Sequence, residues 1–352
     1  MQTPHDRFFR HIFSDPEQAA GELRTMLPPT LAARLDWSSL TLVPGTFVDP
    51  DLAEQRTDLL FSAQLAGREV LLYFLLEHQS SVDPFMPLRL LGYLVRIWED
   101  VRRKTPEAKR LPPIVPLVVH HSEGGWTEAV SFEALLELPD ELLEVLRPHL
   151  PGFTFLLDDL STTRDDELRA RVMTALGRLA LFSLKHGRSG GDLIDKLSRW
   201  VEILLEVAQA PNGVAALAAV LSYLLEVGSI APERLRALSR TLGPKVEEAY
   251  MTGAQILREE GRREGKAEGL REGKAEGKAE GKAEGKAEGK AEGKAEGKAE
   301  GKAEGLRAAV LDLCELLGIE LGAERRAQLE AMGLGELEAL RAALKRARRW
   351  PG

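Results

Sequence analysis

The sequence predicts an α/β protein, in which strands and helices share a layered core and only helices follow. Two apolar strands at 57–66 and 69–77 flank a short glycine turn. A helix over about 86–103 comes next, and a third apolar strand spans 114–120. This order of elements is typical of a layered α/β or α+β domain. With 44% apolar residues in 352, the chain can bury a sizeable core.

The segment before the first strand predicts two short helices. Apolar residues recur at helical spacing over 5–13. A Ser-Asp-Pro motif then stops this helix, or caps a second one over 17–27. Residues 38–48 resemble a loop that leads into a strand.

The strand over 69–77 is apolar on both faces, as expected of a central strand that is covered on two sides. Gly67-Arg68 before it fits a two-residue hairpin turn with glycine first. With that turn, Ala66 lies opposite Glu69, and Asp58 lies opposite Glu77.

Asp58 and Glu77 carry the strongest chemical signal in the sequence. Directly opposed residues have Cβ atoms roughly 4.5–5.5 Å apart, and two carboxylates at that distance repel each other. Unpaired charge is also costly beside so many apolar neighbours. A metal cation held by both carboxylates resolves the conflict, and oxygen ligands with waters are what Mg²⁺ prefers. Gln79 shares the face of Glu77 and can contact metal, water or phosphate.

A structural alternative for this pair stays open. Glu77 can lie in water at the end of its strand while Asp58 caps a turn. A register slip of one residue would also move the two carboxylates to opposite faces of the sheet.

Four further polar residues are weaker candidates. Asp6 is either a third metal ligand or an N-terminal helix cap. His120 and His121 end a buried strand, where they either support the site or belong to a loop. His78 alternates with Glu77 and points to the other face, so we expect a structural role.

The sequence predicts a basic face on the helix over 86–103. Arg89 and Arg96 are seven residues apart and share one face, which Arg103 extends. With Arg102 and Lys104 they are candidates to contact DNA phosphates, which dominate DNA affinity. A solvated helix face is the alternative.

Beyond Thr162 the pattern is helical, as a bundle or as a cover on the sheet. Apolar stripes recur at 165–186, 192–209, 213–227, 232–251, 306–318 and 323–349. Between the stripes at 232–251 and 306–318 lies a repeat of tetrads, mostly Gly-Lys-Ala-Glu, over 261–304.

The tetrad repeat has conflicting helix signals. A period of four stacks Lys over Lys and Glu over Glu at i,i+4, which is mildly destabilising. Glycine costs about 1 kcal/mol per site in a helix interior, whereas Ala, Lys and Glu favour helix. The glycine stripe permits close approach of a second copy. We predict a long helix that forms a homo-oligomer; a flexible linker is the alternative.

Net charge is unevenly distributed. The total is −8, while the repeat and the last 48 residues each sum to about +1, so the first 260 residues carry about −10. This excludes a histone-like polycation. The single cysteine, Cys314, excludes a disulfide framework, and with the absence of a signal peptide it favours a reducing cytoplasm. Charged residues keep every apolar run shorter than about 18 residues, so no membrane helix is expected.

Several segments together resemble the recombination-promoting nuclease or putative transposase family, called YhgA-like, of the PD-(D/E)XK nuclease superfamily. The segments that carry the resemblance are His5-Asp6-Arg7-Phe8-Phe9-Arg10, Ser14-Asp15-Pro16, Arg56-Thr57-Asp58-Leu59-Leu60, Leu75-Leu76-Glu77-His78-Gln79-Ser80-Ser81-Val82-Asp83, Pro87-Leu88-Arg89-Leu90-Leu91-Gly92-Tyr93, Arg96-Ile97-Trp98-Glu99 and Leu111-Pro112-Pro113-Ile114-Val115-Pro116-Leu117-Val118-Val119-His120-His121.

This resemblance implies a restriction-endonuclease-like mixed sheet flanked by helices, and Mg²⁺-dependent cleavage of DNA. Asp58 matches the first acid of the superfamily motif and Glu77 the second. Gln79 stands where the superfamily usually has Lys, so the charge of that lysine is missing. Thr57 stands where the motif has Pro.

The predicted organisation has four parts. These are a nuclease-like domain at 1–205, a helical extension at 206–260, the tetrad stalk at 261–304 and a C-terminal helical module at 305–352. The competing functional class is a non-enzymatic scaffold on a degenerate nuclease fold, which the acidic first 260 residues favour slightly.

Overall fold

The computed structural model describes residues 3–43, 59–77, 82–122, 124–189 and 192–351, without the side chains of 73–77, 140 and 264. In those residues it forms one mixed sheet with helices on both faces and a long C-terminal helix, as the sequence predicts. The five strands are β1 Leu35–Leu42, β2 Leu59–Leu65, β3 Arg68–Glu77, β4 Ile114–His120 and β5 Leu156–Asp159.

The α-helices fill most of the remaining described chain. They are α1 Pro4–Phe13, α2 Pro16–Met26, α3 Pro29–Ala32, α4 Met86–Lys104, α5 Asp140–Leu146, α6 Asp165–Ala170, α7 Ala175–His186, α8 Leu193–Ser198, α9 Val201–Gln209, α10 Gly213–Val227, α11 Pro232–Leu242, α12 Pro244–Leu316, α13 Ala323–Ala331 and α14 Leu334–Ala347.

Strand order in the sheet follows the chain from β1 to β5. The β1–β2 and β2–β3 pairs are antiparallel, whereas β3–β4 and β4–β5 are parallel. Helix α4 supplies the crossover that a parallel β3–β4 connection needs. The sequence analysis did not predict β5, because four residues are too few to show a strand pattern.

The predicted hairpin turn is wrong by one residue at each end. Leu65 pairs with Arg68, so the two turn residues are Ala66 and Gly67, and Ala66 does not pair with Glu69. Both turn residues have positive φ, 49° and 74°, as a type I′ turn requires. The β2–β3 register is therefore shifted by two residues from the prediction. A two-residue shift keeps each side chain on its predicted face, because the side-chain period of a strand is two.

Alternation along the strands sends apolar side chains to both faces of the sheet. Leu117 and Val119 of β4 belong to a large core formed with α1, α2 and the helices from α7 to α10. Val118 between them faces a smaller core, in which Leu90 and Ile97 of α4 are buried. Val70 and Leu72 of β3 lie in the large core and Leu71 lies in the smaller one, so the two-sided burial predicted for this strand is confirmed over its described side chains.

A buried ion cluster ties α2 to the sheet. Arg171 donates two hydrogen bonds of 2.7 Å to the Asp158 carboxylate on β5 and one of 2.9 Å to Glu22 Oε2 on α2. The three side chains are 8%, 3% and 0% exposed. Burial, followed by the nearby Asp158 carboxylate, raises the pKa of Glu22 well above its ordinary value, although Arg171 opposes the shift.

Several predicted helices are divided in the structure. The stripe at 165–186 becomes α6 and α7, and the stripe at 192–209 becomes α8 and α9. Gly243, with φ of 112°, separates α11 from α12. Helical periodicity continues across such breaks, which is why the sequence shows only one stripe.

The chain divides into two compact units, 1–261 and 262–352. The predicted long helix is confirmed, since α12 contains the whole tetrad repeat. In the second unit, Val310 and Cys314 of α12 share a small core with Leu337, Leu340 and Leu344 of α14. The finer boundaries predicted at 205 and 304 stay predictions. No helix among the described residues is long and apolar enough to cross a membrane.

Candidate active site at the carboxyl edge of the sheet

Three polar residues end the three parallel strands in one row. Glu77, the last residue of β3, is the register partner of His120, the last residue of β4. His120 in turn is the register partner of Asp159, the last residue of β5. The carboxyl edge of an open α/β sheet is where ligands commonly bind. The row therefore marks the candidate active site.

The predicted catalytic residues are only partly described by the structure. Glu77 has its backbone position in β3, while Asp58 and Gln79 lie outside the described residues, as does His78. The pairing of Asp58 with Glu77 stays a prediction, and the shifted β2–β3 register removes the turn from which that exact pairing was calculated.

His120 is fully buried at the centre of the row. Its Nε2 is hydrogen-bonded to Ser122 Oγ at 2.8 Å. The edge of its ring meets Trp126 at a centroid distance of 5.1 Å. His120 is therefore a packed strand residue that fixes the end of β4, and the loop-histidine alternative is wrong.

Asp159 organises the loops around the site. Its Oδ2 accepts a hydrogen bond of 2.9 Å from the Trp126 backbone N–H, and its Oδ1 accepts one of 3.0 Å from the Ser161 N–H. Ser161 Oγ then accepts a bond of 3.1 Å from the Ser122 N–H. Sequence reasoning missed Asp159 because it missed β5. An Asp followed closely by Ser and Thr is the local turn signal that could have indicated it.

His121 belongs to a buried cluster behind the row. Its ring lies 5.1 Å from that of His5 in α1, and His5 Nδ1 is hydrogen-bonded to Tyr223 Oη of α10 at 2.6 Å. Burial raises the pKa of Tyr223, so its hydroxyl stays neutral. The cluster fastens α1 and α10 to the end of β4. No sequence pattern joins His5 to Tyr223, because their contact is purely tertiary.

Asp6 caps α1, as the cap alternative predicts. Its Oδ2 accepts a hydrogen bond of 3.0 Å from the Thr3 N–H, and Thr3 Oγ1 accepts one of 3.2 Å from the Asp6 N–H. This reciprocal pair is a capping box.

The predicted phosphate contacts on α4 differ in how they are engaged. Arg89 lies 3.5 Å from Asp83, in an ion pair. Arg103 and Lys104 both pair with Asp100, which is 4% exposed. Burial favours a higher pKa for Asp100, but hydrogen bonds from these two cations outweigh it and lower the pKa. Arg96 is half-buried. A DNA role for Arg89, Arg96 and Arg103 stays a prediction.

Within the described part of the chain, no three His, Cys, Asp or Glu side chains lie close enough to hold a metal ion. The two predicted ligands, Asp58 and Glu77, are outside that search because their side chains are not described. The described side chains of the edge include the carboxylate of Asp159 and the imidazole of His120, which are donor types that divalent cations accept.

A mixed sheet covered by helices on both faces, with a polar row at its carboxyl edge, defines an α/β protein with an edge-of-sheet site. The chain belongs to the family described as "Putative transposase, YhgA-like", whose model matches residues 3–215. The resemblance to this family is thereby confirmed.

Curated relatives cover most of the chain. It is 30% identical over 264 residues to "Inactive recombination-promoting nuclease-like protein RpnE" of Escherichia coli K12, spanning 74% of this chain and 83% of that protein. It is 27% identical to "Recombination-promoting nuclease RpnA" of the same strain, spanning 74% and 85%. It is 27% identical to "Recombination-promoting nuclease RpnD" of Escherichia coli O157:H7, spanning 74% and 96%. No solved structure matches the chain.

Proposed function

We propose that this protein is a Mg²⁺-dependent DNA endonuclease of the PD-(D/E)XK type that acts in DNA recombination or in mobile elements. Two relatives that align with 74% of the chain are named recombination-promoting nucleases. The observation that carries the proposal is the row of Glu77, His120 and Asp159 at the carboxyl edge of the sheet. In this row the backbone of Glu77, a predicted metal ligand, lies beside buried His120.

In this proposal Asp58 and Glu77 hold the divalent cation. When bound, such a cation would supply water activation and charge compensation at the scissile phosphate. Gln79 donates its amide hydrogens to water or to a phosphate oxygen, without the positive charge of a lysine. The attacking water forms the new P–O bond and gives up a proton to solvent, while the bond to the leaving oxygen of the sugar breaks and that oxygen takes up a proton. His120 and Asp159 keep the strand ends and loops in place.

A non-enzymatic scaffold is the second candidate. It is favoured by the relative named inactive, which is 30% identical to this chain. The acidic charge of about −10 on the first 260 residues also opposes DNA binding. In that reading the row at the sheet edge is structural and no bond is cleaved.

The test is nicking of supercoiled plasmid with the full chain, in Mg²⁺ and in EDTA. We expect cleavage in Mg²⁺ only. Asp58→Asn and Glu77→Gln should each lower the rate by about 100-fold or more, because metal activation of water contributes several kcal/mol. Glu69→Gln is the matched control, since Glu69 lies on the same strand, is exposed, and accepts a hydrogen bond of 2.9 Å from Ser62 Oγ.

Two outcomes would contradict the nuclease proposal. Wild-type protein that is folded by circular dichroism but does not nick DNA in Mg²⁺ or Mn²⁺ supports the scaffold. Asp58→Asn and Glu77→Gln variants that cut as fast as the Glu69→Gln control exclude these two residues from the reaction.

We also propose that the tetrad segment of α12 joins copies of the chain into a homo-oligomer. Its glycines from Gly261 to Gly305 are exposed, and an added Cβ at each would meet no atom within 4 Å. Light scattering after size exclusion tests this. Deleting Gly273–Glu304 in eight whole tetrads should reduce the oligomer to monomer, and an unchanged stoichiometry would contradict the proposal.

A further inference from the structure

Four cations occupy five consecutive residues at the end of α14. Lys345 and Arg346 lie in the last helical turn, and Arg348 and Arg349 follow it. All four are exposed. Throughout the described residues 305–351, no Lys or Arg nitrogen lies within 4.0 Å of a carboxylate oxygen. This basic end of α14, residues 345–349, therefore carries uncompensated positive charge.

The residues that flank the basic end along the chain both pack in the small C-terminal core. Leu344, directly before it, is fully buried, and Trp350, directly after it, packs partly buried against the same core. Arg348 has φ of 49°, which turns the chain out of the helix and lets Trp350 return. The guanidinium of Arg325, from α13, lies 5.7 Å from the centroid of the Trp350 ring and adds a fifth cation beside the segment.

Two other cationic groups of the protein lie beside carboxylates. Arg103 and Lys104 at the end of α4 share the carboxylate of Asp100. The lysines of the tetrad repeat alternate with an equal number of glutamates in each Gly-Lys-Ala-Glu unit. The basic end of α14 is different because its last acidic neighbour along the helix is Glu338, seven residues before Lys345.

A helix C-terminus attracts cations through its dipole, which equals about half a negative charge. That attraction accounts for a cation or two in the last turn of α14. It does not account for Arg348 and Arg349, which lie at and beyond the C-cap position. A dipole of that size also leaves most of the positive charge uncompensated.

We propose that the basic end of α14 binds the phosphate backbone of DNA, as a contact separate from the nuclease-like unit. Lys and Arg neutralise phosphates and release counterions, which is the main source of sequence-independent DNA affinity. Contacts from these cations to phosphate oxygens carry no direct sequence information, so the proposed binding is independent of sequence. This inference rests on DNA being the substrate, and it assigns the substrate a second surface that offsets the acidic first unit.

The experiment measures binding of the full chain to a labelled 30-base-pair duplex by fluorescence anisotropy, in EDTA, from 50 to 200 mM KCl. The variant combines Lys345→Gln, Arg346→Gln, Arg348→Gln and Arg349→Gln. The matched control removes the same charge from the repeat through Lys274→Gln, Lys282→Gln, Lys290→Gln and Lys298→Gln. Circular dichroism verifies that both proteins are folded.

Removing four phosphate contacts should reduce the slope of log K against log salt by about 3.6. The loss of affinity between 50 and 200 mM salt then becomes about 150-fold smaller than in the wild type. The repeat variant should keep most of the wild-type slope. A basic-end variant with the wild-type slope overturns the inference, as does a repeat variant with an equal loss.

A third result would also overturn the inference. Tighter, basic-end-dependent binding to vesicles of phosphatidylcholine and phosphatidylglycerol than to DNA would make the segment a lipid-binding surface. The nuclease proposal fails separately: a chain that binds DNA through its basic end but never nicks it in Mg²⁺ sustains this inference and contradicts cleavage. A chain that nicks DNA in Mg²⁺, but whose basic-end variant keeps the wild-type salt slope, contradicts this inference and supports the nuclease proposal.

Discussion

Helix α12 places glycine in two opposite environments. At Gly253 an added Cβ would lie 2.6 Å from the backbone oxygen of Ala218, so α10 packs too closely for any side chain. At Gly281, in the tetrad repeat, an added Cβ would meet nothing within 4 Å. The first glycine is required by a tertiary contact, whereas the second only lowers helix propensity. Glycine in a helix thus says nothing by itself about packing.

Charge shows the same contrast between the two regions. In the first unit, Glu22, Asp158 and Arg171 are desolvated and depend on one another. In the repeat, Lys and Glu are exposed and exchange partners with water at little cost. Four substitutions test this contrast between the two regions.

The largest effect is expected from Arg171→Ala. Its loss leaves two buried carboxyl groups without their cation, and breaking such a pair costs about 3–5 kcal/mol in free energy of unfolding. Urea unfolding followed by tryptophan fluorescence measures it. Arg236→Ala, at an exposed position of α11, is the control and should stay within about 0.5 kcal/mol of wild type. Equal stability of the two variants would mean that the ion cluster does not support the first unit.

Gly253→Ala should destabilise the first unit by about 1–3 kcal/mol, because overpacking against the Ala218 carbonyl exceeds the gain in helix propensity. The measurement is the same urea titration. A gain in stability would show that α10 and α12 can separate without cost, contrary to the packing described.

Glu22→Gln tests the raised pKa of Glu22. An acid whose folded pKa exceeds its unfolded value, 4.5, binds its proton more tightly in the folded state. Stability from this group is therefore present below pH 4.5 and is lost as pH rises toward the folded pKa. The slope is at most about 1.4 kcal/mol per pH unit. Unfolding titrations from pH 4 to 8 should show a shallower decline for the Gln variant, and parallel curves would refute the shift.

Gly281→Ala has the smallest expected effect and the opposite sign to Gly253→Ala. Replacing one exposed glycine should stabilise the helix locally by about 1 kcal/mol. Helicity at 222 nm and its melting temperature report the change, ideally in the monomeric range of concentration. A loss of helicity, or of oligomer, would show that the glycine stripe contacts another copy.

Only those parts of the site that depend on the pattern of a single strand could be predicted from sequence. Glu77 and His120 end apolar strands, so their place at a sheet edge follows from the pattern of each strand. The hairpin was one residue off because Gly67 can take either turn position, and the unusual residue proved to be Ala66 with positive φ. Asp159 had only a local turn signal, because a four-residue strand is too short to show a periodicity, and the His5–Tyr223 contact, across 218 residues, had no sequence signal at all.

The sequence alone determined the apolar central strands, the tetrad helix and the family, because each follows from residue spacing or from local motifs. Tertiary structure decided where the helices divide and which cations have a carboxylate beside them. Arg103 and Lys104 look like a DNA-binding pair in sequence, yet both pair with Asp100, while Lys345, Arg346, Arg348 and Arg349 have no carboxylate within 4.0 Å in the described residues. The physical reason is that charge compensation depends on distance in space, and only packing brings the compensating groups together.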